Sequence, residues 1–442
     1  MQFESFTFHD FAAIDSPIGN VDRGFHFGSS IPVQETLFRI NFMIRNCFAI
    51  ASAEALDADS TLADFVELTI CLAEDRHGRA EHLVRKSEID ADRLWHYIAA
   101  NKLKNLFATS PDIVACLPEP IPDRLHKHVN QQRNRQQKYI SELASVTNLL
   151  EEAGIRVMAL KGPSLGQRLF GDPLKRFFGD LDALVDPDQI ADAITVLQSR
   201  GYSLAKGLSR LSDHRLRTNH AVELRYDTIR IDLHWHFRNV PYYRIDMSKV
   251  WLERRTIEIA GNPVRIASDE HTVVLLCLSV IDDLSMGKLR IKHMLDLYLM
   301  LQVFDPNYDW EHFFAERVAD NTLSVVLNAI AILEGISPSG LLPLKLREEM
   351  QRHEDLIVTR NPATCAQLVI QERKSFLTWL WLIQVYPSSS FRDLIDFWRF
   401  QLPHIGSAPR AAWRGGLRVY QTTRFLCHYR RLAKLLGQKR NR

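Results

Sequence analysis

Little in this chain marks a secreted, membrane-embedded or zinc-bound protein. There are six cysteines in 442 residues, and no two stand as Cys-x-x-Cys. A zinc ribbon or a thioredoxin-like dithiol is therefore not expected. Scattered free thiols suit a reducing compartment. The start, Met1-Gln2-Phe3-Glu4-Ser5, has no basic stretch leading into a long apolar run, so no secretory signal is expected. The longest apolar clusters, such as Phe376–Ile383, fall far short of the ~20 residues that span a bilayer. A cytoplasmic location follows as the expectation. One-sided charge is also lacking: the net charge is +2, so the molecule as a whole is not a polyanion binder.

The charge is nonetheless unevenly placed. Gln401–Arg442 holds ten Lys or Arg and no acid, leaving about −8 on the rest of the chain. Phe425, Tyr429, Leu432 and Leu436 recur there at helical spacing. An amphipathic basic helix of this kind docks on its own protein, or meets RNA or an anionic membrane surface.

Helical periodicity runs from about Gln34 to Leu103, and the aromatic-rich first 45 or so residues show no pattern. Pro118, Pro120 and Pro122 interrupt it. A helix is predicted over His126–Ala153, with Tyr139, Leu143, Val146 and Leu150 as its apolar stripe and Gly154 as its cap. The period then shortens. Ile155–Leu160 and Asp180–Val185 read as strands, each followed by a helix: Pro163–Phe170, and one ending at Gly201. Val222–Tyr226 and Ile229–Phe237 are two further strands, and a hairpin turns at Gly261-Asn262. Helices return at 269–284, 288–303, 310–319 and 323–334. The expected class is α+β: a small mixed sheet flanked by N- and C-terminal helical domains, with bounds 1–153, 154–240 and 241–442.

The central segment carries the chemistry. Asp180 and Asp182 are two residues apart on a strand, which puts both carboxylates on one face, roughly 6.6 Å apart at Cα. Such a pair suits two divalent cations about 3.5–4 Å apart. Oxygen ligands together with phosphates favour magnesium. Asp232, on another strand, supplies a third carboxylate that completes a metal site or takes the proton of an acceptor hydroxyl. His234 and His236 share its strand face, where they orient a carboxylate or line the acceptor, or else make an Asp-His-His transition-metal site. Gly162 lets backbone N–H groups approach phosphate at a helix N-terminus. Lys161 adds a point charge and Ser164 a hydroxyl, while Arg176 is placed to pair with phosphate or with Asp180.

These residues resemble the uncharacterised nucleotidyltransferase family of the DNA polymerase β-like superfamily. The resemblance rests on Leu160-Lys161-Gly162, on Arg176 before Asp180 and Asp182, and on Asp232-Leu233-His234-Trp235. It is specific over Gly154–Phe237 and weaker in the helical flanks. One departure is plain: the superfamily places serine directly after the glycine, whereas Pro163 stands there and Ser164 follows. The resemblance implies transfer of a nucleoside monophosphate from a nucleoside triphosphate with two magnesium ions, manganese being an alternative, to an unidentified acceptor. Asp180, Asp182 and Asp232 would be the catalytic and metal-holding acids, and Lys161, Gly162, Ser164 and Arg176 the nucleotide-binding residues. Two rival expectations stand beside it. One is a catalytically silent nucleotide-binding partner of a biosynthetic assembly. The other is a toxin-like transferase acting on tRNA or protein.

Overall fold

The computed structural model describes residues 60–86, 90–204, 216, 219–238, 243–286, 289–337, 340–358 and 365. The expectations for the first 45 residues, for the basic tail and for the Trp- and Phe-rich stretch around 376–400 lie outside these residues. Six helices come first: α1 (Ser60–Ala73), α2 (His77–Lys86), α3 (Ala91–Ala100), α4 (Lys104–Ala108), α5 (Pro111–Cys116) and α6 (Ile121–Glu152). Helix α6 begins earlier than the prolines suggest. Pro122 sits in its first turn, where no intrahelical N–H is needed. Then follow β1 (Val157–Ala159), α7 (Pro163–Phe170), β2 (Leu181–Val185), α8 (Ile190–Ser199), β3 (Ser203–Leu204), β4 (Ala221–Tyr226) and β5 (Ile229–His234). The remainder is α9 (Met247–Leu252), the hairpin β6 (Arg255–Ile259) and β7 (Asn262–Ile266), then α10 (Asp269–Met286), α11 (Ile291–Leu301), α12 (Trp310–Ala319), α13 (Leu323–Ile336) and α14 (Leu344–Arg352). The chain is an α+β protein, and no described helix is long and apolar enough to cross a membrane.

All seven strands form one mixed sheet in the order β3-β4-β5-β2-β1-β7-β6. The hairpin therefore belongs to the sheet, joined through β7 parallel to β1. At the centre β2 runs parallel to β5 and antiparallel to β1. Strand alternation gives the faces opposite characters. Val157, Ala159, Leu181, Ala183, Val185, Ile231 and Leu233 look one way and pack under the apolar stripes of α6 and α8. On the other face Met158 and Leu184 join the large cluster built mainly by α1–α5 and α10–α14. Helices thus cover one face and the β1 side of the other. What the second helical body leaves open is the polar part of that second face, at β2, β5 and β4.

Candidate active site

Register creates the site. Asp182 stands opposite Asp232 across the parallel β2–β5 pair, and Glu223 stands opposite Asp232 on β4. Residues directly opposite on neighbouring strands share a face, so three acids line one row across the sheet. Oxygens of Asp182 and Asp232 and a ring nitrogen of His234 lie within 4.8 Å of one another. Asp180 stands outside that group, just before β2. Its side chain is 42% exposed, and its nearest cation is Arg230 at 3.9 Å. The loop that aims it is tied down by the Gly179 carbonyl, which accepts from Tyr139 Oη at 2.9 Å and from Arg230 Nη2 at 2.8 Å.

The two facing acids have opposite electrostatics. Burial alone would raise Asp182, but Lys161, His234 and Arg176 outweigh it and hold its carboxyl well below the usual carboxylate range. Burial, followed by the charge of Asp182 and those of Asp180 and Glu223, pushes Asp232 up to about 6 against the pull of His234. One acid is thus a firm anion and its neighbour a reluctant one. A divalent cation between them would relieve the crowding, so the pair fits a hard metal ion.

His234 orients the pair. Its Nε2 is 3.1 Å from Asp182 Oδ1, and its Nδ1 is buried without a hydrogen-bond partner. A metal-bound imidazole carries its proton on the other ring nitrogen and normally gives it to an acceptor. Nδ1 has none among the described residues. The ring therefore fits better as the partner of Asp182 than as a ligand, which leaves carboxylate oxygens as the donor set and suits magnesium-like ions over zinc-like ones. The His220 ring lies over His234 with centroids 5.5 Å apart. His236 continues the same strand face, and burial pushes its ring below the ordinary histidine value. Trp235 turns the other way, into the core, and donates to the Leu216 carbonyl.

The glycine turn lies directly beside these acids. Leu160 N donates to Asp182 O at 2.9 Å. Gly162 has φ +66° and ψ −131°, a backbone conformation open essentially to glycine alone. A Cβ there would also meet the Asp180 carbonyl at 3.3 Å. Lys161 Nζ hydrogen-bonds Ser279 Oγ of α10 at 3.2 Å. Two other residues of the expected nucleotide set point inward. Ser164 is buried, and its hydroxyl donates to the Lys161 carbonyl at 2.8 Å, so it closes the turn. Arg176 pairs with neither phosphate-facing space nor Asp180. Its guanidinium meets Asp296 of α11 in a two-bond fork at 2.9 and 2.8 Å, and a third N–H reaches the Gly162 carbonyl at 3.3 Å. Arg176 anchors the turn from beneath. Asp296 was not singled out from the sequence, though a signal existed: Lys292 and Asp296 are a Lys–Asp pair, four residues apart, in a helix that is mostly apolar apart from His293.

Residues 87–336, more than half of the chain, match the model of a family described as uncharacterised nucleotidyltransferase. No curated protein matches the sequence. Among solved structures, similarity extends to the antibiotic-resistance factor ANT(2'')-Ia in solution, at 12% identity over 42% of this chain and 91% of that one, with a TM-score of 0.30. A crystal structure of ANT(2'')-Ia with adenylyl-2''-tobramycin gives 13% identity over 41% and 96%, TM-score 0.30. An antigenic nucleotidyltransferase-like protein from Paracoccidioides brasiliensis gives 16% identity over 54% and 95%, TM-score 0.27. These likenesses are too distant to carry residue roles or substrates.

Proposed function

Because this chain belongs to the uncharacterised nucleotidyltransferase family, we propose that it moves a nucleoside monophosphate from a nucleoside triphosphate to a hydroxyl on a small molecule, peptide or protein, with magnesium. Within that reading the chain is a member of the DNA polymerase β-like superfamily. The observation that carries it is the in-register pairing of Asp182 with Asp232 beside the Gly162 turn.

Asp182, kept ionised by Lys161 and His234, and Asp180, in the loop just before β2, would hold magnesium, with Asp232 on the acceptor side. Bound magnesium supplies charge stabilisation to the phosphoryl oxygens and lowers the pKa of an oxygen nucleophile. The chain's own residues do the rest. Backbone N–H groups around Gly162 and the first turn of α7 receive phosphate oxygens, and Lys161 adds charge beside them. The acceptor oxygen forms a bond to the α-phosphorus while the bond from that phosphorus to the bridging oxygen breaks. The electron pair leaves with pyrophosphate. The acceptor proton passes to Asp232, whose carboxyl, pushed up to about 6, is a better base than an ordinary aspartate. His234 keeps Asp182 aimed throughout.

The test is product mass. Purified protein is incubated with each triphosphate, magnesium and extract, and acceptors gaining one nucleoside monophosphate are sought alongside pyrophosphate. Pyrophosphate release that follows an added acceptor supports the reading. Nucleotide binding without any product or pyrophosphate would sink it in favour of a silent binding module.

A further inference from the structure

We propose that Lys292, in the first turn of α11, is the residue that receives the terminal phosphates of the triphosphate and then the departing pyrophosphate. This deepens the nucleotidyl-transfer reading and rests on it.

Lys292 is 8% exposed, and it has no hydrogen bond or ion pair among the described residues, whereas the nearby acids Asp296 and Asp283 are committed elsewhere. Asp296, one helical turn further along α11, is taken by Arg176. Asp283 is taken by Arg290 at 3.0 Å and by His293 Nδ1 at 2.6 Å. Asn101 Oδ1 accepts the Ile291 N–H and so fixes the start of α11. The ammonium is left at a helix N-terminus, the end that repels cations, and in the field of two more cations, Arg176 and Lys102. Burial and those two charges push Lys292 well below the ordinary lysine value, against the pull of Asp296 and Asp180. A folded protein gains nothing from a cation held this way. An anion gains a desolvated donor backed by a helix terminus.

Position selects the anion. Lys292 and Asp296 occupy one face of α11. Asp296 holds the arginine that holds the Gly162 carbonyl. Lys292 therefore stands one turn away along the wall that backs the phosphate turn, within the field of Asp180. Asp232 and the acceptor side lie on β5, across Asp182 from the turn. Phosphates remote from the sugar are the part of the nucleotide that reaches the Lys292 side.

Calorimetric titration with inorganic pyrophosphate and magnesium, in wild type and Lys292→Met, tests this. Loss of one charge-assisted donor weakens pyrophosphate and triphosphate binding by about ten- to a hundredfold. Nucleoside monophosphate binding is unchanged, because the monophosphate does not reach the lysine. The ligand-free variant melts at the same temperature or higher, since a buried unpaired charge is gone. Equal losses for monophosphate and pyrophosphate, or a clear drop in melting temperature, mark a merely structural lysine and overturn the assignment. Unchanged pyrophosphate affinity overturns it too, while product formation by the wild type leaves the transfer reading intact. A non-hydrolysable triphosphate displaces pyrophosphate one for one. If both bind together, Lys292 serves an anion of the acceptor, and the proposal falls. A wild type that binds neither triphosphate nor pyrophosphate and forms no product removes both readings together.

Discussion

Two groups of buried charge meet at the Gly162 turn, and they differ in how completely they are paired. Beneath the turn, Arg176 and Asp296 form a two-bond fork, both almost fully buried, with the third arginine donor spent on the Gly162 carbonyl. Beside the turn, Asp182 and Asp232 stand face to face with His234 bonded to Asp182 only, Glu223 beyond them is taken by Arg225 at 2.6 Å, and Asp232 is left without a partner among the described residues and driven up to about 6. A complete pair costs desolvation and repays it with geometry. Within the incomplete row, Asp232 is repaid nothing until a cation arrives. The contrast separates charge that holds the fold from charge that waits for ligands, and substitutions on the two sides should behave in opposite ways.

The largest effect is expected on the incomplete side. Asp182→Ala should lower transfer by about a thousandfold or more, in keeping with loss of a group that stabilises the transition state, with a smaller loss of melting temperature at neutral pH, where the carboxylate held low by Lys161, His234 and Arg176 stabilises the fold. Single-turnover rates with saturating magnesium read the first quantity and calorimetry the second. Near wild-type turnover would move the metal away from Asp182. The complete pair should give the reverse pattern. Asp296→Ala leaves Arg176 buried and unpaired, which typically costs about 3–5 kcal/mol. A urea midpoint that barely moves would mean that the fork contributes nothing to the fold.

What could be read in advance follows the same division between local and distant partners. The α7 helix over Pro163–Phe170 and the α12 helix over Trp310–Ala319 match the expected bounds residue for residue. Their signals are local: proline at the first helical position, and Asp309 capping α12 by accepting from His312 N. Alternation alone placed Asp182 and Asp232 on sheet faces. Their direct opposition depends on the parallel β2–β5 register, which no short window contains. For the same reason the hairpin could be drawn but not attached, since its link to β1 is a single parallel pairing of Ala159 with Ile266. Arg176 finds Asp296 far along the chain, and Ser164 turns inward because Pro163 takes the position next to the glycine. The third acid of the motif was legible, whereas the partners that decide which residues remain free were not.

The turn that joins both groups should respond to a single methyl. Gly162→Ala places a Cβ at positive φ and 3.3 Å from the Asp180 carbonyl. Strained backbone of this kind costs about 1–3 kcal/mol. Because Asp180 and the Arg176 fork both lean on the turn, triphosphate affinity should fall along with stability. An alanine variant that melts and binds as the wild type does would show that the turn relaxes freely, and would uncouple the two groups.

The smallest effect is the most diagnostic, because its sign is unusual. Removing charge at Asp232 should stabilise the metal-free protein. The folded state raises this carboxyl to about 6, so its stabilising contribution is full below the unfolded aspartate value, near 3.9, and is lost as pH rises through about 6. Asp232→Asn is neutral at every pH and escapes that loss. The variant should therefore match the wild type near pH 4 and exceed it by about 1–2 kcal/mol at pH 7.5, after allowance for partial solvent screening. Asp182, held low, has the opposite sign: its contribution is present above the unfolded value and is lost only in acid. Magnesium should erase the difference at pH 7.5, because the wild type then gains a cation that the amide holds less well. Melting curves of both proteins from pH 4 to 8, with and without magnesium, read all of this in one series. A variant less stable than the wild type at pH 7.5 without metal would mean that Asp232 is already satisfied within the fold, and the row of acids would no longer differ in kind from the fork beneath the turn.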